Sequence, residues 1–231
     1  MPEANYAPQK SRLLKDFDRM AARVKRVLIS RYGEEETQAL ITESRREYEA
    51  LIPQIPFIGE RSHMLIFLLP TTRWLAVYRA LQKRGATIED AGHLIREMCE
   101  AEAKAIPGPV RRLMGWLWFS PLFLRRVRKR AAESHRRQHP GAYVYDYVEG
   151  NGRDFDWGID YLECSSCKLL KAQGAMELAP YVCAVDKVSS ELLGWGLTRT
   201  MTLAEGFEKC DFRFKKGGQT RVPTRSKTDK P

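Results

Sequence analysis

No apolar run in this 231-residue chain reaches the ~18–20 residues that a membrane-crossing helix needs. The opening decapeptide, MPEANYAPQK, has none of the apolar core of a secretory signal. A soluble protein that stays in the cytoplasm is expected. Histidine is scarce: His63, His93, His135 and His139 all precede residue 140, and only His63 or His93 could fold back over the C-terminal part of the chain. No Ser-His-Asp or Cys-His arrangement is evident. Cysteine is odd in number (Cys99, Cys164, Cys167, Cys183 and Cys210), in a chain too large to need covalent staples. In a reducing compartment such cysteines are free thiols, metal ligands or nucleophiles.

Acidic residues are nearly missing from two stretches. Between Val110 and His139 nine Lys/Arg face one acid, Glu133, and from Lys215 onward six face Asp229. The formal net charge of +10 therefore belongs to a segment and a tail, and the rest of the chain is slightly acidic. No zinc finger, helix-turn-helix or RNA-binding sheet motif accompanies the charge, so nucleic acid is not expected as a partner.

The first part, residues 1–139, reads as helices. Leu13, Leu14, Phe17, Met20, Val24, Val27 and Leu28 have helical spacing from Lys10 to Tyr32, with Gly33 as the stop. A second helix is predicted from about Glu35 to Leu51, before Pro53 and Pro56. A third, from Ser62 to Lys83, contains Pro70, where a kink or break is expected. Thr87 followed by Asp90 marks the start of a fourth, which Pro107-Gly108-Pro109 ends.

Within 110–139 the apolar block LMGWLWFSPLFL runs directly into RRVRKR. Twelve residues divided by Pro121 are too few to span a bilayer. The plainer reading, and the preferred one, is a core helix followed by a solvated basic one. The sharper reading is peripheral contact with a membrane surface through 110–139.

At Pro140-Gly141 the pattern changes. Tyr143, Tyr145 and Tyr147 alternate, EGNGRD marks a turn, and Phe155, Trp157, Ile159 and Tyr161 alternate again, which predicts a hairpin. Helical patterning covers Ser166–Ala172 and Leu178–Leu193, with Pro180 in the first turn of the latter. Leu197–Leu203 and Cys210–Phe214 read as strands. The order β-β-α-α-β-β over 140–216 predicts an α+β fold, its four-stranded antiparallel sheet packed against the helical half. Residues 217–231 read as a disordered basic tail.

Four cysteines fall in this second part. Cys164 and Cys167 form a C-x-x-C, but Cys183 and Cys210 are separated by a predicted helix and strand, unlike the paired ligands of structural zinc. No metal and no cofactor is assigned. A thioredoxin-like pair is disfavoured because the surrounding hairpin is not a βαβ unit, and Cys99, inside an amphipathic helix, reads as a packed thiol. Cys183 and Asp186 are three apart near the start of a helix, on one face, where the helix dipole favours a thiolate and a carboxylate. Arg199 and Thr202 lie on a predicted strand, where alternation puts them on opposite faces, and Cys210-Asp211 opens the last strand.

Glu163-Cys164, then ELAPYVCAVD from Glu177 to Asp186, then LTRTMTLAEGFEKCDFRF from Leu197 to Phe214, together resemble the L-2-amino-thiazoline-4-carboxylic acid hydrolase family. These motifs lie within Tyr143–Lys215. A weaker likeness, to four-vinyl-reductase small-molecule-binding domains with a related G-x-x-x-C-x-F strand, points to a sensor module instead. The hydrolase resemblance implies water addition at the C=N carbon of a small cyclic amidine, with opening of the C–S bond. It implies Cys183, Asp186 and Cys210 as catalytic groups, and Arg199, Thr202, Glu163, Cys164 and Asp211 as substrate-binding ones. The expected partner is a small-molecule substrate. A thiol would attack, a carboxylate would hold the amidine, and an arginine would grip the substrate carboxylate at two points.

Overall fold

The computed structural model describes residues 5–223. Helix α1 (Lys10–Tyr32) buries Leu13, Phe17, Met20, Val24 and Leu28 along one stripe. Gly33, at φ 77°, turns the chain into α2 (Glu34–Leu51), whose first turn carries three glutamates at the positive end of the helix. Helix α3 (Leu65–Gln82) runs unbroken through Pro70, against expectation. Thr71 and Thr72 donate their hydroxyls to the carbonyls of Phe67 and Leu68, at 2.9 and 3.0 Å, while the carbonyl that the proline leaves without its usual N–H belongs to the exposed Ile66. A capping box on Thr87 and Asp90 starts α4 (Ile88–Lys104).

Two shorter helices come next, α5 (Gly108–Leu117) and α6 (Pro121–Ser134). The C-terminal elements are β1 (Val144–Glu149), β2 (Trp157–Glu163), α7 (Ser165–Ala172), α8 (Ala179–Leu193), β3 (Leu197–Thr198) and β4 (Cys210–Phe214). Eight helices and a four-stranded antiparallel sheet of order β1-β2-β4-β3 thus make up an α+β fold among the described residues.

In the β1–β2 turn the Asn151 side-chain carbonyl accepts the backbone N–H groups of Arg153 and Asp154. Strand register lines Tyr145, Tyr161 and Cys210 in one row across the sheet, with Ile159–Phe212 and Trp157–Phe214 pairs beside it. This face is buried against the helices. Strand alternation puts Asp146, Asp160 and Asp211 on the opposite face. There Lys209 and Arg213 each bind Asp160 at 2.7 Å. One hydrophobic core runs from α1–α4 through Val127 and Ala131 of α6 to Trp157 and Phe214 of the sheet.

The third strand is shorter than the alternation of 197–203 suggests. Only Leu197–Thr198 joins the ladder, because the Asp211 carboxylate takes the N–H groups of Thr200 and Met201 that would otherwise extend it. The tail also departs from expectation. Arg221 bridges Thr198, Val222 is buried, and Thr220 shares a hydrogen bond with Ser190 at 2.7 Å. Disorder from residue 217 is therefore corrected as far as 223, and the remainder of that segment lies outside the described residues.

Helix α8 is held by α4, where Gly92 makes room: a Cβ there would stand 2.0 Å from the Tyr181 ring. Helix α7 rests on α3. These two contacts place the starts of α7 and α8 over the Cys210 end of the sheet.

Candidate functional site

Cys164 ends the β2 connection and is the N-cap residue of α7. The first turn of that helix is fastened from several directions. Ser165 donates to the Gly141 carbonyl at 2.6 Å, and Ser166 shares hydrogen bonds with Tyr143 (2.9 Å) and Thr71 (3.0 Å). Lys168 donates to the carbonyls of Pro140 and Ala142 and to the Glu163 carboxylate. Such support limits the freedom of the Cys164 sulfur.

The Cys164 thiol is held below the ordinary thiol range, first by the Cys167 thiol and then by the N–H dipoles of Cys167 and Ser166, with burial working against them. The sulfur makes no aligned capping hydrogen bond, so these groups act as nearby dipoles. Cys167 is correspondingly pushed up, its hydrogen bond to Cys164 being the main cause. The C-x-x-C is thus an asymmetric pair, with the first sulfur the better thiolate.

Cys183 faces the same neighbourhood, but its environment is the reverse of the one its helix position suggests. Burial first, and then the Asp186 charge, raise its thiol well above the usual range, while Arg199 only partly compensates. Its place on the fifth residue of α8 leaves the dipole too weak to overcome this. Cys210 is likewise pushed up to about 12 by burial, although its sulfur accepts the Leu203 N–H at 3.2 Å.

Asp186 and Arg199 meet. The Arg199 Nη1 donates to the Asp186 carboxylate and, at 2.9 Å, to the Cys183 carbonyl. The guanidinium lies 5.5 Å from the Phe212 ring centre. Arg199 is almost wholly enclosed (5% of its side chain exposed), whereas Asp186 keeps an edge to solvent at 27%. Burial raises the Asp186 carboxyl to about 6 despite the opposing arginine. A carboxyl of that kind can hold or release a proton near neutrality.

The structure therefore brings together Cys183, Asp186 and Arg199 through the two Nη1 hydrogen bonds, with Cys164 and Cys210 near enough to bear on the Cys183 thiol. Three further residues that the sequence motifs point to are engaged by other partners. Glu163 is engaged by Arg137 at 2.9 Å and Lys168 at 2.5 Å. Thr202 caps the short turn Leu203–Glu205 by accepting the Glu205 N–H. Asp211 is on the outer face of the sheet, binding Thr200 and Met201. Sequence reasoning misses Tyr161, which lies in the Cys210 row and feels Asp186, Cys164 and Cys210. Its alternation with Ile159 is the available signal. His63 stands one residue further back, 3.1 Å from the Tyr145 hydroxyl. Among the described residues, no three His, Cys, Asp or Glu side chains converge with metal-binding geometry.

An antiparallel sheet with helices on one face defines an α+β protein, and it carries a thiol-rich cluster beside an enclosed carboxylate–guanidinium pair. The sequence profile of the L-2-amino-thiazoline-4-carboxylic acid hydrolase family matches residues 71–214, more than half of the chain, and the chain belongs to that family. The match begins inside α3, so it includes α4–α6 as well as the C-terminal motifs. No curated protein and no solved structure gives a significant match. Among the described residues, no helix is long and apolar enough to cross a membrane.

Proposed function

We propose that the chain hydrolyses a small cyclic amidine of the 2-amino-thiazoline-4-carboxylate type, with Cys164 as the attacking thiolate. The observation that carries this reading is the position of Cys164 as the N-cap residue of α7, its first turn fastened in place, near the Asp186–Arg199 pair; its lowered thiol agrees with that role. Cys183 and Cys210, with raised thiols, then shape the pocket and pack against the substrate instead of attacking it.

In this scheme the Cys164 sulfur adds to the ring C=N carbon of the protonated amidine. The ring C–S bond then breaks, and its sulfur leaves as a thiol with a proton from Asp186. The carbon is left as an isothiourea on Cys164. Water adds to it, Cys164 departs as thiolate, and loss of a proton yields the carbamoyl amino acid. One water is consumed overall, and neither oxidant nor reductant is needed.

Arg199 has two roles here. Both of its hydrogen bonds fall on Nη1, where they orient Asp186. The rest of the guanidinium is left to meet the substrate carboxylate. Glu163, Thr202 and Asp211 support the site by fastening α7, the Leu203 turn and the β4 edge, and do not contact the substrate. A cytoplasmic setting suits free thiols.

The test is incubation of the full chain with excess 2-amino-thiazoline-4-carboxylate, tracking thiol release with a disulfide reagent and the carbamoyl product by mass spectrometry. One thiol per substrate consumed is expected. Absence of both products across pH 6–9 would overturn the reading.

A further inference from the structure

Helix α5 is amphipathic in sequence but inverted in the fold. Its only buried residue is Gly115, which rides against the end of α8: a Cβ there would lie 2.2 Å from the Leu193 carbonyl. The apolar stripe points away from the protein. Val110, Leu113 and Leu117 recur at i, i+3 and i+7 on the outward side, flanked by Met114 and Trp116, and all five are exposed. Leu113 is 54% exposed and Trp116 59%, and Leu122 at the start of α6 extends the patch at 60%. The plainer reading, a core helix followed by a solvated basic one, is thereby corrected for α5, whose Trp116 and Leu117 stay exposed. Trp118, Phe119 and Phe123 are the residues that dock, with Trp118 stacked on Trp195 at 4.3 Å.

Cations border this patch. Arg112 is exposed on α5, and the outward side of α6 carries Arg125, Arg126 and Lys129. No carboxylate pairs with Arg112, Arg125 or Arg126 among the described residues, and Lys129 has only a 3.8 Å contact with Glu133.

We propose that the α5–α6 face seats on an anionic membrane surface, the α5 stripe entering the headgroup boundary and the α6 cations meeting lipid phosphates. An exposed helix face with an aromatic at its edge and unpaired arginines beside it fits that partner. A ten-residue helix is about 15 Å long, too short to span but long enough to lie in the interface. A second copy of the chain fits poorly. A two-fold contact through this face would add a second set of the same cations, with Glu133 the one acid between Val110 and His139 to meet them.

Membrane seating is independent of the hydrolase reading, and its test uses no substrate. The full chain is sedimented with vesicles of 70% phosphatidylcholine and 30% phosphatidylserine, and with pure phosphatidylcholine, at 50 and 150 mM salt. Binding is expected to the anionic vesicles only, and to weaken as salt rises. Leu113→Gln with Leu117→Gln should reduce it by at least ~10-fold. Arg125→Gln, Arg126→Gln and Lys129→Gln together should reduce it on the order of 10²-fold. These positions are exposed, so unchanged circular dichroism and melting temperature serve as the folding control. No binding at 50 mM salt, equal binding to both vesicle types, or binding unaltered in the Leu113/Leu117 variant would overturn the proposal. So would a dimer of the free chain that the same variant dissociates.

Discussion

At the scale of single residues, the four clustered thiols differ because their surroundings differ. Cys164 has amide dipoles and a donor thiol beside it, whereas at Cys183 and Cys210 burial outweighs the help that Arg199 and, for Cys210, the Leu203 N–H provide. Iodoacetamide at pH 7.5 should therefore label Cys164 of the native protein first, with Cys99, Cys183 and Cys210 reacting only on unfolding. Peptide mapping checks the order, and equal labelling of Cys183 would contradict it. Asp186 makes a pH prediction. Its carboxyl is raised to about 6, so the proton it donates is present below that pH and lost as pH rises through it. The rate should fall along a limb near pH 6 that Asp186→Asn abolishes together with most of the remaining activity. The same shift bears on stability. A raised carboxyl contributes fully below its unfolded value of about 3.9, and this contribution fades as pH rises through about 6.

Among the secondary-structure elements, the ones legible in the sequence are those with a local cause. The ends of α1 and β4 coincide with the positions read from spacing, and the Thr87–Asp90 box is formed as its sequence suggests. The features missed depend on side chains distant in sequence. Asp211 captures two N–H groups and truncates β3, and Arg221 returns to bridge Thr198. Helix α3 runs on past Pro70 although the ring removes one N–H from its ladder. Two substitutions test the packing of elements in thermal or denaturant unfolding. Thr87→Ala should cost about 1 kcal/mol through loss of the cap. Gly115→Ala should cost ~1–3 kcal/mol, because the new methyl must displace the Leu193 backbone. A neutral Gly115→Ala would show that α5 is not seated on the end of α8.

For the whole molecule, the helical half acts as the frame that aligns two helix starts over one end of the sheet. α4 grips α8 and α3 grips α7, while the sheet supplies the Tyr145–Tyr161–Cys210 row beneath them. The sequence motifs show which residues belong to this region. They cannot show that Asp211 faces outward, that Glu163 is neutralised by Lys168 and Arg137, or that Cys164 has the better thiolate environment than Cys183. Those outcomes are decided by register and by tertiary partners. The comparison of Cys164→Ala with Cys183→Ala tests the central claim most directly, through kcat for thiol release from 2-amino-thiazoline-4-carboxylate, with both proteins checked for a wild-type fold. The account predicts a loss of at least ~10²-fold for Cys164→Ala and a loss under ~10-fold for Cys183→Ala. Near-normal turnover by Cys164→Ala, with activity abolished in Cys183→Ala, would contradict it.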